Sequence, residues 1–289
     1  MNYEGSVFRP PSEARSLIIQ VTIGCSHNKC TFCYMYKEKQ FRVRKIEDVK
    51  NDLDESRVRY REIKRIFLAD GDALALKTDK LKEILEYIKL IFPECERVGI
   101  YTSPQNISKK SEDDLVLLSS LGLGIAYLGL ESGSDTVLEN VKKGVTSADM
   151  IEAGKKVVEA GIKLSVMVIS GLGGRELWKE HAIESARVLN EIKPNYIGLL
   201  TLLVEPETEM FKQIRAGEFQ LLKAKEVLLE TKELLTRLNV NACTFRSNHA
   251  SNYLNLAGEL SEDKERLLKQ IDDALLGEHV LNIETYRRL

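Results

Sequence analysis

Leu17-Ile18-Ile19-Gln20-Val21-Thr22-Ile23-Gly24-Cys25-Ser26-His27-Asn28-Lys29-Cys30-Thr31-Phe32-Cys33 is the stretch on which the reading of this chain turns. An apolar, β-branched run of strand length passes through a glycine into a loop with three cysteines in nine residues. Thiolates this close in sequence converge on a metal far more readily than they pair with each other.

Working outward, short apolar runs alternate with helical patterns, which predicts repeated βα units around a parallel sheet. Six strands are expected, at Leu17 to Ile23, Arg65 to Ala69, Arg97 to Thr102, Gly124 to Leu130, Lys163 to Ile169 and Tyr196 to Leu203. Between them, Leu81, Ile84, Leu85, Ile88 and Ile91 recur at the three-to-four spacing of a buried helical stripe, and Ile46, Val49 and Leu53 mark a weaker one. Ser111-Glu112-Asp113-Asp114 and Thr146-Ser147-Ala148-Asp149 read as capping boxes, while Gly144 and Gly161 fall where a helix needs a left-handed residue after its end. After Leu203 strands are expected to cease, and helices around Leu222 to Leu238 and Asp263 to Leu276 are expected to pack on the barrel. The expected organisation is a barrel over 1–204 and a helical C-terminal extension over 205–289, together one unit.

Composition narrows the function classes. Five cysteines in 289 residues cannot form a disulfide framework, and neither end carries a secretory apolar segment, so a reducing, cytoplasmic setting is expected. With 42 basic and 44 acidic residues the net charge is −2, so no global field favours nucleic acid as a partner. No apolar run approaches the roughly 20 residues of a membrane span. The basic stretches Lys37 to Lys45 and Arg57 to Arg65 read as solvated faces, because acidic residues are interleaved nearby.

Polar and glycine-rich clusters fall directly after each expected strand: the cysteine loop, Asp70-Gly71-Asp72, Ser103-Pro104-Gln105-Asn106, Glu131-Ser132-Gly133-Ser134, Ser170-Gly171-Leu172-Gly173-Gly174 and Glu205-Pro206-Glu207-Thr208. Any one of them is an ordinary βα turn, but in parallel barrels ligand chemistry gathers at the strand C-terminal ends. The cysteine loop, Phe32 before its last cysteine, the acidic turn at Asp70 to Asp72, and Tyr127-Leu128-Gly129-Leu130-Glu131-Ser132-Gly133-Ser134 with Lys143-Gly144 beyond it together resemble the radical S-adenosylmethionine (SAM) superfamily. The resemblance runs from about Leu17 to Leu276 and looks closest to the oxygen-independent coproporphyrinogen oxidase-like and methylthiotransferase-like group. One departure stands out: four residues, Ser26 to Lys29, separate the first two cysteines where three are usual.

The resemblance implies an α/β fold, a partial (β/α)₆ barrel. Three thiolates can hold three irons of a [4Fe–4S] cube and leave the fourth open. On the resemblance, SAM occupies that iron and is cleaved by one electron to a 5′-deoxyadenosyl radical that abstracts hydrogen. Cys25, Cys30 and Cys33 match the cluster ligands, and Phe32 the apolar position near the adenine. Asp70, Gly71 and Asp72 match the turn that meets the SAM amino group, although Asp70 stands where the family has glycine. Tyr101 and Ser103, at the end of the third strand, are candidate SAM contacts and Lys143 a candidate partner for the SAM carboxylate, while Glu131 matches a ribose-facing position and Gly171 a close backbone approach to the adenine. A reductant such as flavodoxin or ferredoxin is implied as a partner.

Outside these turns, Phe245 to Tyr253 gathers Arg246, Asn248 and His249 as substrate-side candidates, with a hydrogen-bonded structural turn as the rival account. His181 reads as a surface or helix-packing residue, and Cys95 and Cys243 as isolated buried thiols. For the cysteine loop the rivals are a zinc site with His27 as fourth ligand, or unligated thiols. The function classes that stay open are a radical SAM enzyme acting on a small molecule or tetrapyrrole, one modifying RNA or peptide, and a non-catalytic iron–sulfur or zinc protein serving as electron carrier or scaffold. No cobalamin- or RNA-binding module is expected in this length, which favours the first.

Overall fold

The opening run forms two strands, β1 (Leu17–Gln20) and β2 (Thr22–Ile23), because the chain changes partners at Val21. Val21 N–H donates to Ala69 O while its own carbonyl accepts from Arg44 N–H. The computed structural model describes residues 3–279, 281, 282, 284 and 287. It divides into two compact units, one of Met1–Asn28, Met35–Leu128 and Lys156–Leu164, the other of Lys29–Tyr34, Gly129–Lys155 and Ser165–Leu289.

In the first unit the remaining elements are β3 (Arg42–Val43), α1 (Ile46–Arg59), β4 (Arg65–Ala69), α2 (Thr78–Ile91), β5 (Arg97–Thr102), α3 (Pro104–Ser108), α4 (Glu112–Ser120) and most of β6 (Leu123–Glu131). β1 pairs parallel with β4 from Leu17↔Ile66 to Gln20↔Ala69, and β4 with β5 from Arg65↔Arg97. Ile66 to Ala69 are buried without alternation, as expected of a parallel strand covered on both faces. α2 turns Leu81, Ile84, Leu85 and Ile88 inward, the stripe its periodicity predicts. Both halves of the capping box at Ser111 and Asp114 are formed. Glu13 is fully buried and accepts from Ser16, Arg97 and Tyr127. Gly99 makes room for it, since a Cβ there would stand 3.2 Å from Glu13 Oε1.

The second unit holds the end of β6, α5 (Asp135–Asn140), most of α6 (Ser147–Glu159) and of β7 (Lys163–Ser170), α7 (Gly174–Ile192), β8 (Tyr196–Thr201), α8 (Glu209–Ala216), α9 (Ala224–Arg237), β9 (Thr244–Ser247), β10 (Leu256–Glu259) and α10 (Leu260–Leu276). β7 pairs parallel with β8, and β8 with β9. The expectation that strands cease after Leu203 is therefore corrected: β9 joins the sheet beside β8, and β10 returns antiparallel to it. Thr244-Phe245-Arg246-Ser247 buries every second residue and exposes Arg246, a half-buried strand whose four residues are too few to announce themselves. Within the first unit the strands order as β1-β4-β5-β6 and within the second as β7-β8-β9-β10, while β2 and β3 form a separate pair. Gly144 and Gly161 take the left-handed backbone expected of them. Among the described residues no helix is long and apolar enough to cross a membrane.

Candidate functional site

The functional candidates fall at strand C-terminal ends in both units. Cys25 belongs to the first unit and Cys30 and Cys33 to the second. None of the three is in a disulfide, and all are partly exposed. Among the described residues no three His, Cys, Asp or Glu side chains form a ready-made metal group. The fit to an iron–sulfur cluster therefore rests on the donor set, three accessible thiols on one short loop without disulfide partners. The other cysteines differ: burial raises the Cys95 thiol above its ordinary range and pushes Cys243 up to about 12.

In the first unit the turn after β4 organises the start of the cysteine loop. Asp70 is fully buried, and its Oδ2 accepts from Gln20 Nε2 at 3.1 Å, Gly24 N–H at 3.1 Å and Lys39 Nζ at 2.8 Å. That carboxylate is committed to holding the backbone one residue ahead of Cys25. Gly71 lies under Tyr36, whose ring a Cβ would approach to 2.5 Å. Asp72 is buried and accepts from Ser26 in the cysteine loop, from Ser103 Oγ at 2.7 Å and from Asn106 Nδ2 at 2.6 Å. Ser103 also caps α3, so one serine joins the third turn to the second. The lengthened loop is absorbed locally. Asn28 adopts φ 45°, a left-handed conformation asparagine tolerates better than most, and its Nδ2 donates to Tyr36 O at 2.7 Å. Tyr101 is half-buried and packs edge-on against Phe67 and Tyr127 at centroid distances of 4.9 and 6.1 Å.

In the second unit the rest of the cysteine loop is fastened by backbone. Thr31 N–H donates to Val141 O and Thr31 O accepts from Met210 N–H, both at 3.0 Å. Phe32 packs against the apolar cluster formed by Val137, Val141, Leu172, Leu202 and Met210. Glu131 sits at φ 62° and pairs with Lys143 at 3.0 Å, so two residues expected to contact different parts of SAM contact each other. Gly171 takes φ 85°, which frees its N–H to donate to Glu230 Oε1 at 2.7 Å.

Behind these turns lies a buried polar chain that sequence reasoning does not find. His181 Nδ1 meets Ser132 Oγ at 2.8 Å, and His181 Nε2 stands 3.8 Å from Glu230 Oε1. Burial pushes Glu230 up to about 8 and His181 down to about 4, so at neutral pH a carboxylic acid faces a neutral imidazole. Of the two readings of His181, surface or helix packing, the second holds, for it is 1 % exposed on the buried face of α7. A signal existed for Glu230: it falls on the stripe of Val227, Thr231 and Leu234, where an acid interrupts the buried face of α9.

A cavity of about 440 Å³ opens at the ends of β7 and β8, lined by Tyr34, Ser170, Gly171, Thr201, Glu205 and Tyr253 among others. The polar segment after β9 reaches it through Tyr253. Arg246 and Asn248 are exposed, and half-buried His249 bonds Ser251 at 3.0 Å, so none of the three substrate-side candidates lines the cavity. Local hydrogen bonding explains this: Ser251 and Asn252 are spent on Thr201 and Leu199, which turns Tyr253 inward.

Comparison with known proteins bears on the family and the fold. An uncharacterized protein of Methanocaldococcus jannaschii is 26% identical over 76% of this chain and 71% of its own length. The heme chaperone of Bacillus subtilis is 23% identical over 55% of this chain, which spans 42% of that protein. Coproporphyrinogen III oxidase of Escherichia coli, a radical SAM enzyme, shares the fold with a TM-score of 0.56 at 17% identity, over 78% of this chain and 54% of that one. The sequence profile of the radical SAM superfamily matches residues 19–186, from within β1 to within α7, and the chain belongs to that superfamily.

Proposed function

We propose that this chain takes hydrogen from a small-molecule substrate, with Cys25, Cys30 and Cys33 as the ligands of its [4Fe–4S] cluster. When bound, the cluster and SAM supply a one-electron cleavage of the sulfonium that yields a carbon-centred radical. The remaining tasks belong to the chain. Asp72, buried and ringed by hydroxyl and amide donors, presents a carboxylate suited to an ammonium. Glu131 and Lys143 offer an acceptor for sugar hydroxyls and a donor for a carboxylate. Gly171 lets backbone approach a flat base, with Phe32 and Leu172 in one apolar cluster nearby. A low-potential carrier such as flavodoxin or ferredoxin would supply the electron.

The observation that carries the substrate class is the cavity at the ends of β7 and β8, whose 440 Å³ lies within the range of small-ligand sites. Its wall includes Gly171 and also Tyr34, the residue after Cys33, so a substrate there would sit beside elements assigned to the cofactors. Apolar Leu202, Leu222 and Val227 would exclude water, and the Ser170 and Thr201 hydroxyls would orient polar groups. With a net charge of −2, an RNA substrate has less support.

The deciding experiment is anaerobic reconstitution with iron and sulfide, followed by SAM and a strong reductant, with 5′-deoxyadenosine measured by mass spectrometry. Formation in wild type but not in Cys25→Ala, Cys30→Ala or Cys33→Ala is expected. An intact, reduced cluster that neither binds nor cleaves SAM would sink the reading and move an electron-carrier or structural role ahead.

A further inference from the structure

Two turns of the second unit, one after β6 and one after β7, are keyed to the helices behind them by side chains, not by packing alone. After β6, Ser132 Oγ meets His181 of α7, Gly133 N–H donates to Ser185 Oγ at 2.9 Å, and Ser134 Oγ donates to Glu180 at 2.6 Å. After β7, Gly171 N–H donates to Glu230 of α9. His181 and Glu230 then face each other at 3.8 Å, closing a buried path from one turn to the other.

This path is costly to keep. Both side chains are no more than 2 % exposed; the Ile169 backbone bears on His181 and the Ser170 hydroxyl on Glu230, yet among the described residues neither His181 Nε2 nor Glu230 Oε2 has a hydrogen-bond partner of good geometry. Buried polar atoms left unsatisfied cost free energy that an apolar pair of similar size would not. An apolar pair would serve stability as well, so the chain is better accounted for by what it holds in place. The turns it joins are the two that carry Glu131 and Gly171, proposed contacts of the SAM sugar and base.

We infer that Glu230 and His181 are positioning residues, which fix the Ser132 and Gly171 turns in the mutual arrangement that binding the SAM nucleoside requires. The inference rests on the SAM reading above. Glu230 acts through its acceptor oxygen on Gly171 N–H: with that acceptor gone, the peptide is free to rotate. His181 holds the other turn through Ser132.

The test reads SAM affinity by equilibrium dialysis on the reconstituted protein, alongside iron content, the KM for SAM and the rate at which SAM is cleaved at saturation. Glu230→Leu should weaken SAM binding about tenfold and raise KM to match, with iron content and the saturated rate unchanged, as supporting residues behind ligands commonly do. Glu230→Gln, whose amide oxygen can still accept from Gly171, should restore affinity to within about twofold. A Glu230→Leu protein that binds SAM like wild type overturns the inference, and so does a Glu230→Gln protein as impaired as the leucine variant. Should Glu230→Leu fail to fold, Ser132→Ala decides: weakened SAM binding supports the path, and wild-type binding overturns it. Wild type that holds its cluster yet binds no SAM defeats the underlying reading and this inference with it.

Discussion

The Glu131 carboxylate and the Lys143 ammonium stand 3.0 Å apart on the second unit, each side chain less than a fifth exposed. Two residues assigned to opposite ends of one ligand thus neutralise each other when it is absent. On the proposed reading, binding SAM would exchange this pair for contacts with the sugar and carboxylate, so the pair would tune affinity more than stability. Glu131→Gln should raise the KM for SAM about tenfold while changing the unfolding free energy by less than about 1 kcal/mol, the usual worth of a partly exposed ion pair. Urea unfolding and steady-state kinetics check both halves, and an unchanged KM removes Glu131 from the site.

Asp70 has the opposite balance. Its carboxylate is fully buried and faces Lys39, whose side chain is only 9 % exposed. Asp70→Asn leaves that ammonium without a counter-charge and also presents an amide where Gly24 N–H and Gln20 Nε2 need an acceptor. A loss of about 3 kcal/mol is expected, in the range for breaking one side of a buried pair. A urea midpoint equal to wild type would show that Asp70 is not what holds the entrance to the cysteine loop.

Strands whose burial follows from an unbroken apolar run were legible in sequence: Arg65 to Ala69 and Arg97 to Thr102 have the bounds expected of them. The break at Val21 was not, because it depends on Ala69 and Arg44, residues distant in sequence. The β9–β10 hairpin was hidden by its shortness and by glycine in Leu256-Ala257-Gly258-Glu259. At the site, the turns could be placed from strand ends alone, but not the direction of their side chains. That Asp70 points at Lys39 while Asp72 points at Ser103 is a matter of backbone geometry that three consecutive letters do not carry. The pairing of Glu230 with His181 was not legible for a related reason: each can be placed on its own helix, but only the packed structure sets one against the other.

The turn after β6 is pressed directly on α7. A Cβ at Gly133 would stand 2.3 Å from Glu184 O and 2.5 Å from Ser185 N, backbone atoms that cannot swing aside. Gly133→Ala should cost about 3 kcal/mol, at the upper end of overpacking. Gly217→Ala is the control: its φ of +79° is strained for alanine, yet no atom lies within 4 Å, so about 1 kcal/mol is expected. Thermal unfolding of the two variants should rank them in that order, and a reversed order would mean that the turn moves off α7 at little cost.

The buried acid and imidazole give stability a distinctive dependence on pH. Glu230 is raised from 4.5 to about 8, so between those values the folded chain holds a proton that the unfolded chain has lost, and stability falls as pH rises. His181 is lowered from 6.5 to about 4, so between those values the unfolded chain holds the extra proton, and stability rises with pH. The two slopes oppose each other from about 4.5 to 6.5, where they cancel. Above 6.5 only Glu230 of the two still titrates, and its contribution should decline by about 2 kcal/mol by pH 8, at 1.36 kcal/mol for each pH unit. Urea unfolding of wild type at about pH 6.5 and pH 8 should therefore show a loss that Glu230→Gln, which cannot ionise, does not share. Equal losses in the two proteins would mean that Glu230 is already ionised in the folded chain at the lower pH, with water or His181 compensating its charge.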